Sequence, residues 1–167
     1  LPASNPFPFT GDAQITGSLI VSGSFNAFKL NSDNVILGDG AAANIPTGAT
    51  KIVAIGYQAA GGGTITTAGD KNVAIGYQAG YDLTSGAYNV HIGHQAGYNN
   101  TSGQSNVAIG EAAGFGVSNG QNGVYIGQNT SVLGNGYGNV MVGSSAGRGA
   151  SGGAPDYCVF LGQNAGY

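Results

Sequence analysis

The sequence predicts an all-β protein, a repetitive parallel β-roll or β-solenoid, and three observations carry that prediction. The tetrad Val-x-Ile-Gly, in strict or relaxed form, recurs eight times between Val35 and Gly162. Its first and third residues are mostly β-branched, they alternate around one middle residue, and a glycine closes each run, in segments too short for helices. Glycine supplies 33 of 167 residues while charged residues make up 7%, a composition far from that of a two-layer enzyme with helices.

Taken in order, residues 1–10 hold three of the five prolines, at Pro2, Pro6 and Pro8. Proline fixes its own φ and pushes the residue before it toward extended backbone, so this segment reads as an extended linker or docking arm. Residues 11–33 form a second unit. Gly11, Gly17 and Gly23 divide it into the hexads Gly-Asp-Ala-Gln-Ile-Thr, Gly-Ser-Leu-Ile-Val-Ser and Gly-Ser-Phe-Asn-Ala-Phe. A short-period, turn-separated pattern of this kind predicts a β-structured shaft segment.

Residues 34–167 are the third unit, a β-roll of eight coils. The tetrad is complete as Val-Ala-Ile-Gly at 53–56, 73–76 and 107–110. Relaxed copies stand at 35–38, 90–93, 124–127, 140–143 and 159–162. The predicted repeat core is therefore Val53, Ile55, Gly56, Val73, Ile75, Gly76, Val90, Ile92, Gly93, Val107, Ile109, Gly110, Val124, Ile126 and Gly127, with its weaker relatives at the two ends. Successive tetrad glycines are 18, 20, 17, 17, 17, 16 and 19 residues apart, which is a fixed strand with an elastic loop, the mark of a solenoid. Eight coils stacked at about 4.8 Å predict a rod roughly 40 Å long.

The middle residue of the tetrad is Ala54, Ala74 or Ala108, or else the larger His91, Tyr125 or Met141. Both faces of such a strand are mostly apolar, as in buried parallel sheets, and a coil of about seventeen residues covers one of them. The other face calls for a neighbouring chain, and a homo-oligomer is expected. Asn34, Asn72, Asn89, Asn106 and Asn139 each precede a tetrad, and Gln58, Gln78 and Gln95 each follow one. Stacking places these amides in ladders that bond along the rod.

Composition also excludes function classes. Four Lys plus Arg against seven Asp plus Glu leave no basic stripe for a phosphate backbone, so no nucleic-acid partner is expected. The apolar runs are a few residues long, far short of a membrane span. Cys158 is the sole cysteine, which rules out an internal disulfide framework.

The tetrads at Val53–Gly56, Val73–Gly76, Val90–Gly93 and Val107–Gly110, each followed by Ala59, Ala79, Ala96 or Ala113, resemble the coils of trimeric autotransporter adhesin heads. The likeness covers about four-fifths of the chain. It implies a left-handed parallel β-roll, an intertwined homotrimer, and attachment at a bacterial surface. Two departures point elsewhere: the Gly-Tyr-Gln-Ala-Gly-Tyr extension at 76–81 with its Asn-Thr-Ser-Gly return, and the N-terminal hexads, look more like the fibre proteins of tailed bacteriophages. That variant implies a virion fibre whose N-terminal segment docks on other fibre or virion proteins.

Catalysis needs a nucleophile, a base and an orienting group within reach. The chain offers two His, one Glu, one Cys and six scattered Asp. Asp70, Asp82 and Glu111 are the carboxylates a polysaccharide-cleaving tailspike would use, but they fall at different coil phases. No catalytic residue and no cofactor are assigned. Gly134-Asn135-Gly136-Tyr137-Gly138 precedes a strand and lacks the helix of a dinucleotide loop. His91 and His94 form His-x-x-His across a strand end; His91 in a homotrimer would form a ring of imidazoles able to hold a metal or anion, while its ordinary role is packing. Cys158 beside Val159 and Phe160 reads as a small buried hydrophobe.

Nine Tyr against no Trp is the clearest compositional excess. Tyr57, Tyr77, Tyr81 and Tyr98 recur just after the tetrad, where the rings either contact a glycan or protein receptor or pack as a ladder between coils. The longer loops, Ala60–Lys71 with Thr64 and Thr66, and Arg148–Asp156, are further candidate contacts. The expected function is therefore non-enzymatic: a structural and adhesive component of a trimeric extracellular or virion fibre. A monomeric solenoid binding an ordered surface such as polysaccharide or ice is the alternative, and a tailspike fragment is the other.

Overall fold

The computed structural model describes residues 33–46, 49–130, 135–149 and 156–166. The arm at 1–10, the hexads at 11–28 and most of the Arg148–Asp156 loop lie outside the described residues. Eight three-residue strands follow in chain order: β1 (Val35–Leu37), β2 (Val53–Ile55), β3 (Val73–Ile75), β4 (Val90–Ile92), β5 (Val107–Ile109), β6 (Val124–Ile126), β7 (Val140–Val142) and β8 (Val159–Leu161). They form one parallel sheet in the order β1 to β8, each strand pairing with the next. No helix occurs among the described residues. This is an all-β parallel solenoid, as the tetrad spacing predicts.

The register is what a repeat requires. Val53 pairs with Val73, Ala54 with Ala74 and Ile55 with Ile75, and the pattern repeats through Val140 with Val159. Hydrogen bonding does not stop at the strands, because the turns stack too. Gln58 donates its backbone N–H to the Asp39 carbonyl, Gln78 to Tyr57 and Gln95 to Tyr77, at 2.8–2.9 Å. The elastic spacing is absorbed farther along each coil, which keeps strand and turn in step.

The tetrad glycine is fixed by two causes at once. Its φ is +124° to +133° in the seven coils from Gly38 to Gly143, a region that a Cβ makes costly. A Cβ on Gly110 would also stand 2.8 Å from the carbonyl oxygen of Gly127 in the next coil. Coils close this tightly only where the strand ends in glycine.

The middle tetrad residue points into the coil. Ala54, Ala74, His91, Ala108, Tyr125 and Met141 are buried, and so are the alanines of the following turn, Ala59, Ala79, Ala96, Ala113 and Ala146. Large middle residues are matched by glycines. The His91 ring fills the space a Cβ on Gly97 would need, and Met141 does the same at Gly147. Each coil thus closes a narrow core, mostly of alanine, on its own.

The asparagine ladder forms, chiefly through side chain to backbone. Asn72 Oδ1 accepts the backbone N–H of Asn89, Asn89 Oδ1 that of Asn106, and Asn106 Oδ1 that of Gly123, at 2.9–3.0 Å. Each Nδ2 then donates to a carbonyl at the next rung, Gly86, Gly103 and Gly120 in turn, at 2.7–2.8 Å. The column thereby satisfies buried backbone groups that the short strands leave over.

Candidate interaction surface

With the middle residue turned inward, the valine and isoleucine of every tetrad face outward. Together they make two parallel columns of apolar side chains over eight rungs. Val53, Ile55, Val73, Ile75, Val90, Ile92, Val107 and Val124 are half-buried; Ile109 and Ile126 are exposed. The difference follows the next outward position. Coils with half-buried isoleucines carry Tyr57, Tyr77 or His94 there, while the two exposed ones carry Glu111 and Gln128. At the far end Val159 and Leu161 are 62% and 66% exposed.

Two further columns border this strip. On one side, two residues before each tetrad, stand Asp33, Lys51, Lys71, Tyr88, Ser105, Asn122, Gly138 and Tyr157, all with positive φ. On the other, just after each tetrad glycine, stand Asp39, Tyr57, Tyr77, His94, Glu111, Gln128, Ser144 and Gln163. Lys71 holds Asp70 at 2.9 Å and lies 4.8 Å over the Tyr88 ring.

The tyrosines singled out by the sequence divide between two columns. Tyr57 stacks on Tyr77 at 5.4 Å between ring centroids, and Tyr77 on His94 at 5.0 Å. Tyr81 stacks on Tyr98 at 4.9 Å, and Tyr98 on Phe115 at 5.1 Å. Tyr77 and Tyr98, the middle rings of the two stacks, have ring partners on both faces, so packing ladders between coils form, while Tyr57 and Tyr77 stay 45% and 44% exposed. Between the columns the glutamines bond in series, Gln78 Nε2 to Gln58 Oε1 at 2.8 Å and Gln95 Nε2 to Gln78 Oε1 at 3.0 Å. Phe115 was not expected as a member. Its position, five residues after Gly110, is the signal that would have found it.

His91 and His94 do not share a site. His91 is 1% exposed inside its own coil, bonded through Nε2 to Asn100 Nδ2 at 3.2 Å, with Nδ1 unpartnered. Burial lowers its pKa to about 4. His94 is outside, on Tyr77. The imidazole ring expected between three chains is corrected on this point: His91 is enclosed by the walls of its own coil and does not reach the surface of the chain. Among the described residues no three His, Cys, Asp or Glu side chains cluster as a metal site would require.

The carboxylates are dispersed as their phases imply. Asp70 pairs with Lys71, Glu111 accepts from Gln128 at 2.8 Å, and burial raises the Asp82 carboxyl above its ordinary range. The Ala60–Lys71 loop is anchored rather than projecting: Ile65 is fully buried, and Thr66 bonds the Thr84 carbonyl through its backbone N–H at 2.8 Å. Thr64, Thr66 and Arg148 are exposed. Cys158 is half-buried rather than buried, and occupies the asparagine position of the last coil, its N–H donated to Asn139 Oδ1 at 2.8 Å.

The fold and surface define a class, the parallel β-solenoid with an apolar outward sheet face. Comparison with protein-family models, curated proteins and solved structures finds no match to this chain. No helix among the described residues is long and apolar enough to cross a membrane.

Proposed function

We propose that this chain is a non-enzymatic structural and adhesive component of a homotrimeric fibre, exposed on a virion or a bacterial cell, that mediates attachment to a cell surface. The observation that supports the reading is the outward valine and isoleucine ladder. An apolar strip running the length of a soluble rod is an interaction surface by the ordinary rule for exposed patches. Three copies closing on it make a stiff element with a shared core.

Its mechanism is rigid presentation. Ladder hydrogen bonds hold every coil in register, and the trimer multiplies weak contacts at the exposed loops and column edges into avidity. The N-terminal segment, on this reading, docks on other fibre or virion proteins, while loop residues such as Thr64, Thr66 and Arg148 meet a glycan or protein receptor.

The test compares adsorption of the native chain with that of an Ile75→Asp, Ile92→Asp variant, on immobilised polysaccharides and on whole bacterial cells. Attachment that falls at least tenfold in the variant, with the β circular-dichroism signal intact, supports trimeric adhesion. Equal attachment by both chains contradicts it and moves the assignment to a monomeric surface-binding solenoid.

A further inference from the structure

Three asparagines stand directly before glycine, at Asn119-Gly120, Asn122-Gly123 and Asn135-Gly136, all between β5 and β7. Such a pair is prone to close on itself, since glycine has no side chain to shield its backbone nitrogen. That nitrogen attacks the asparagine Cγ, ammonia leaves, and water opens the resulting succinimide ring to aspartate or isoaspartate. The reaction needs a nitrogen free of hydrogen bonds and a side-chain amide free to swing onto it.

The fold grants these unequally. Gly123 is buried and donates its N–H to Asn106 Oδ1 at 2.9 Å, which occupies the nucleophile of the Asn122 pair. Asn135 Oδ1 accepts the N–H groups of Ser118 and Asn119 at 2.7 and 3.1 Å, which fixes the amide of the third pair. Asn119 is exposed, and its side chain makes no hydrogen bond among the described residues.

The return loop also frees the nitrogen beside Asn119. In the two preceding coils three successive N–H groups converge on one carbonyl: Thr84, Ser85 and Gly86 on Thr101 at 3.0–3.1 Å, then Thr101, Ser102 and Gly103 on Ser118 at 2.9–3.2 Å. At 118–120 the Asn135 side chain takes the place of that carbonyl and receives only the first two, so the Gly120 N–H has no acceptor among the described residues. The same coil puts asparagine where those two carry Ser85 and Ser102.

We infer that Asn119 is a site of self-modification, converting in the folded protein to aspartate or isoaspartate ahead of Asn122 and Asn135. The Gly120 nitrogen bonds to Cγ, and its proton leaves with the departing ammonia. Water then supplies a hydroxyl to one ring carbonyl and a proton to the nitrogen, which breaks one of the two C–N bonds. Breaking at Cγ gives aspartate; breaking at the backbone carbonyl gives isoaspartate, whose main chain is one carbon longer. That extra carbon falls beside Gly120, whose carbonyl accepts Asn106 Nδ2 at 2.7 Å, so the change reaches the buried asparagine column. Each conversion also adds one negative charge to a chain whose net charge is −3.

The test holds the native chain at mildly alkaline pH in water enriched in heavy oxygen, and peptide fragmentation follows the label at the three asparagines. The same chain unfolded in guanidinium chloride is the reference. Breaking the hydrogen bond that protects Asn122 or Asn135 lowers the reactive population on the order of tenfold. The folded chain is therefore expected to take up label at Asn119 about tenfold faster than at the other two, and the unfolded chain at similar rates at all three. Asn119→Ser, which restores the residue type of positions 85 and 102, is expected to abolish the early gain of negative charge seen on ion exchange. Label entering Asn122 or Asn135 as fast as Asn119 in the folded chain overturns the inference. So does a folded Asn119 that stays unlabelled while the unfolded chain reacts, or an early charge gain that persists in Asn119→Ser.

Discussion

The hydroxyl of Tyr125 lies against Gly123, in a coil where the buried asparagine column carries no side chain. A Cβ on Gly123 would stand 2.5 Å from Tyr125 Cζ and Cε2, so the ring occupies the volume that Asn106 fills one coil earlier above Ala108. Two departures from the repeat, at 123 and 125, are therefore one compensated change. Gly123 keeps the ladder bond through its backbone N–H, donated to Asn106 Oδ1 at 2.9 Å.

That coupling predicts a non-additive cycle. Gly123→Asn overpacks the coil at about 1–3 kcal/mol, and Tyr125→Ala opens a cavity costing about 3–5 kcal/mol. The double variant rebuilds the Asn-x-Ala pattern of the neighbouring coil and loses at least 1 kcal/mol less than the sum. Urea unfolding of the four proteins measures it; strict additivity would refute the coupling.

Tyr125→Phe is expected to leave stability unchanged or raise it. The hydroxyl is buried with no hydrogen-bond partner, and burial pushes its pKa up to about 12. Deleting an unsatisfied polar atom removes a desolvation cost of about 1–3 kcal/mol. A fall in thermal midpoint would show that the oxygen has a partner.

The tetrad glycines separate backbone strain from crowding. Gly162→Ala, with nothing within 4 Å of its Cβ, pays only for its φ of +114°, about 1–3 kcal/mol. Gly110→Ala adds the clash with the Gly127 carbonyl, a further ~1–3 kcal/mol. Equal losses in the two variants, measured by urea unfolding, would contradict the stacking contact.

Acid weakens the fold through His91. Its pKa is lowered from 6.5 to about 4, so the folded state prefers the neutral ring. Its stabilising contribution is whole above pH 6.5. It is lost as pH falls toward 4, where the unfolded chain has bound a proton and the folded chain has not, by about 3 kcal/mol in total. His91→Ala, which restores the residue type of positions 54, 74 and 108, is expected to flatten that slope. An unchanged slope between pH 6.5 and 4 would assign it to another group.

Strands and register were legible because the tetrad states them directly: alternation marks the strand and the glycine marks its end. The amide ladders were legible for the same reason, since stacking places like above like. Which face turned inward was not. Val/Ile and Ala both read as apolar, and only the alanine of the turn, with the narrow core it implies, decides that Ala54 points in and Val53 out. The histidines show the same limit. His91 and His94 are three residues apart in sequence, yet a strand end between them sends one into the core and the other onto Tyr77. The tyrosines looked like one set because Tyr57 and Tyr81 both follow a tetrad, Tyr57 by one residue after Gly56 and Tyr81 by five after Gly76, and only coil-by-coil alignment separates their columns.

The outward ladder of valine and isoleucine as a shared trimer core is the central claim, and the solution mass of the purified chain by light scattering, with a heat and detergent challenge alongside, tests it most directly. The account predicts a resistant particle of about 49 kDa, three times the 16.4 kDa chain. A well-folded monomer of 16.4 kDa would contradict it, and would show that these coils keep their outward ladder in water.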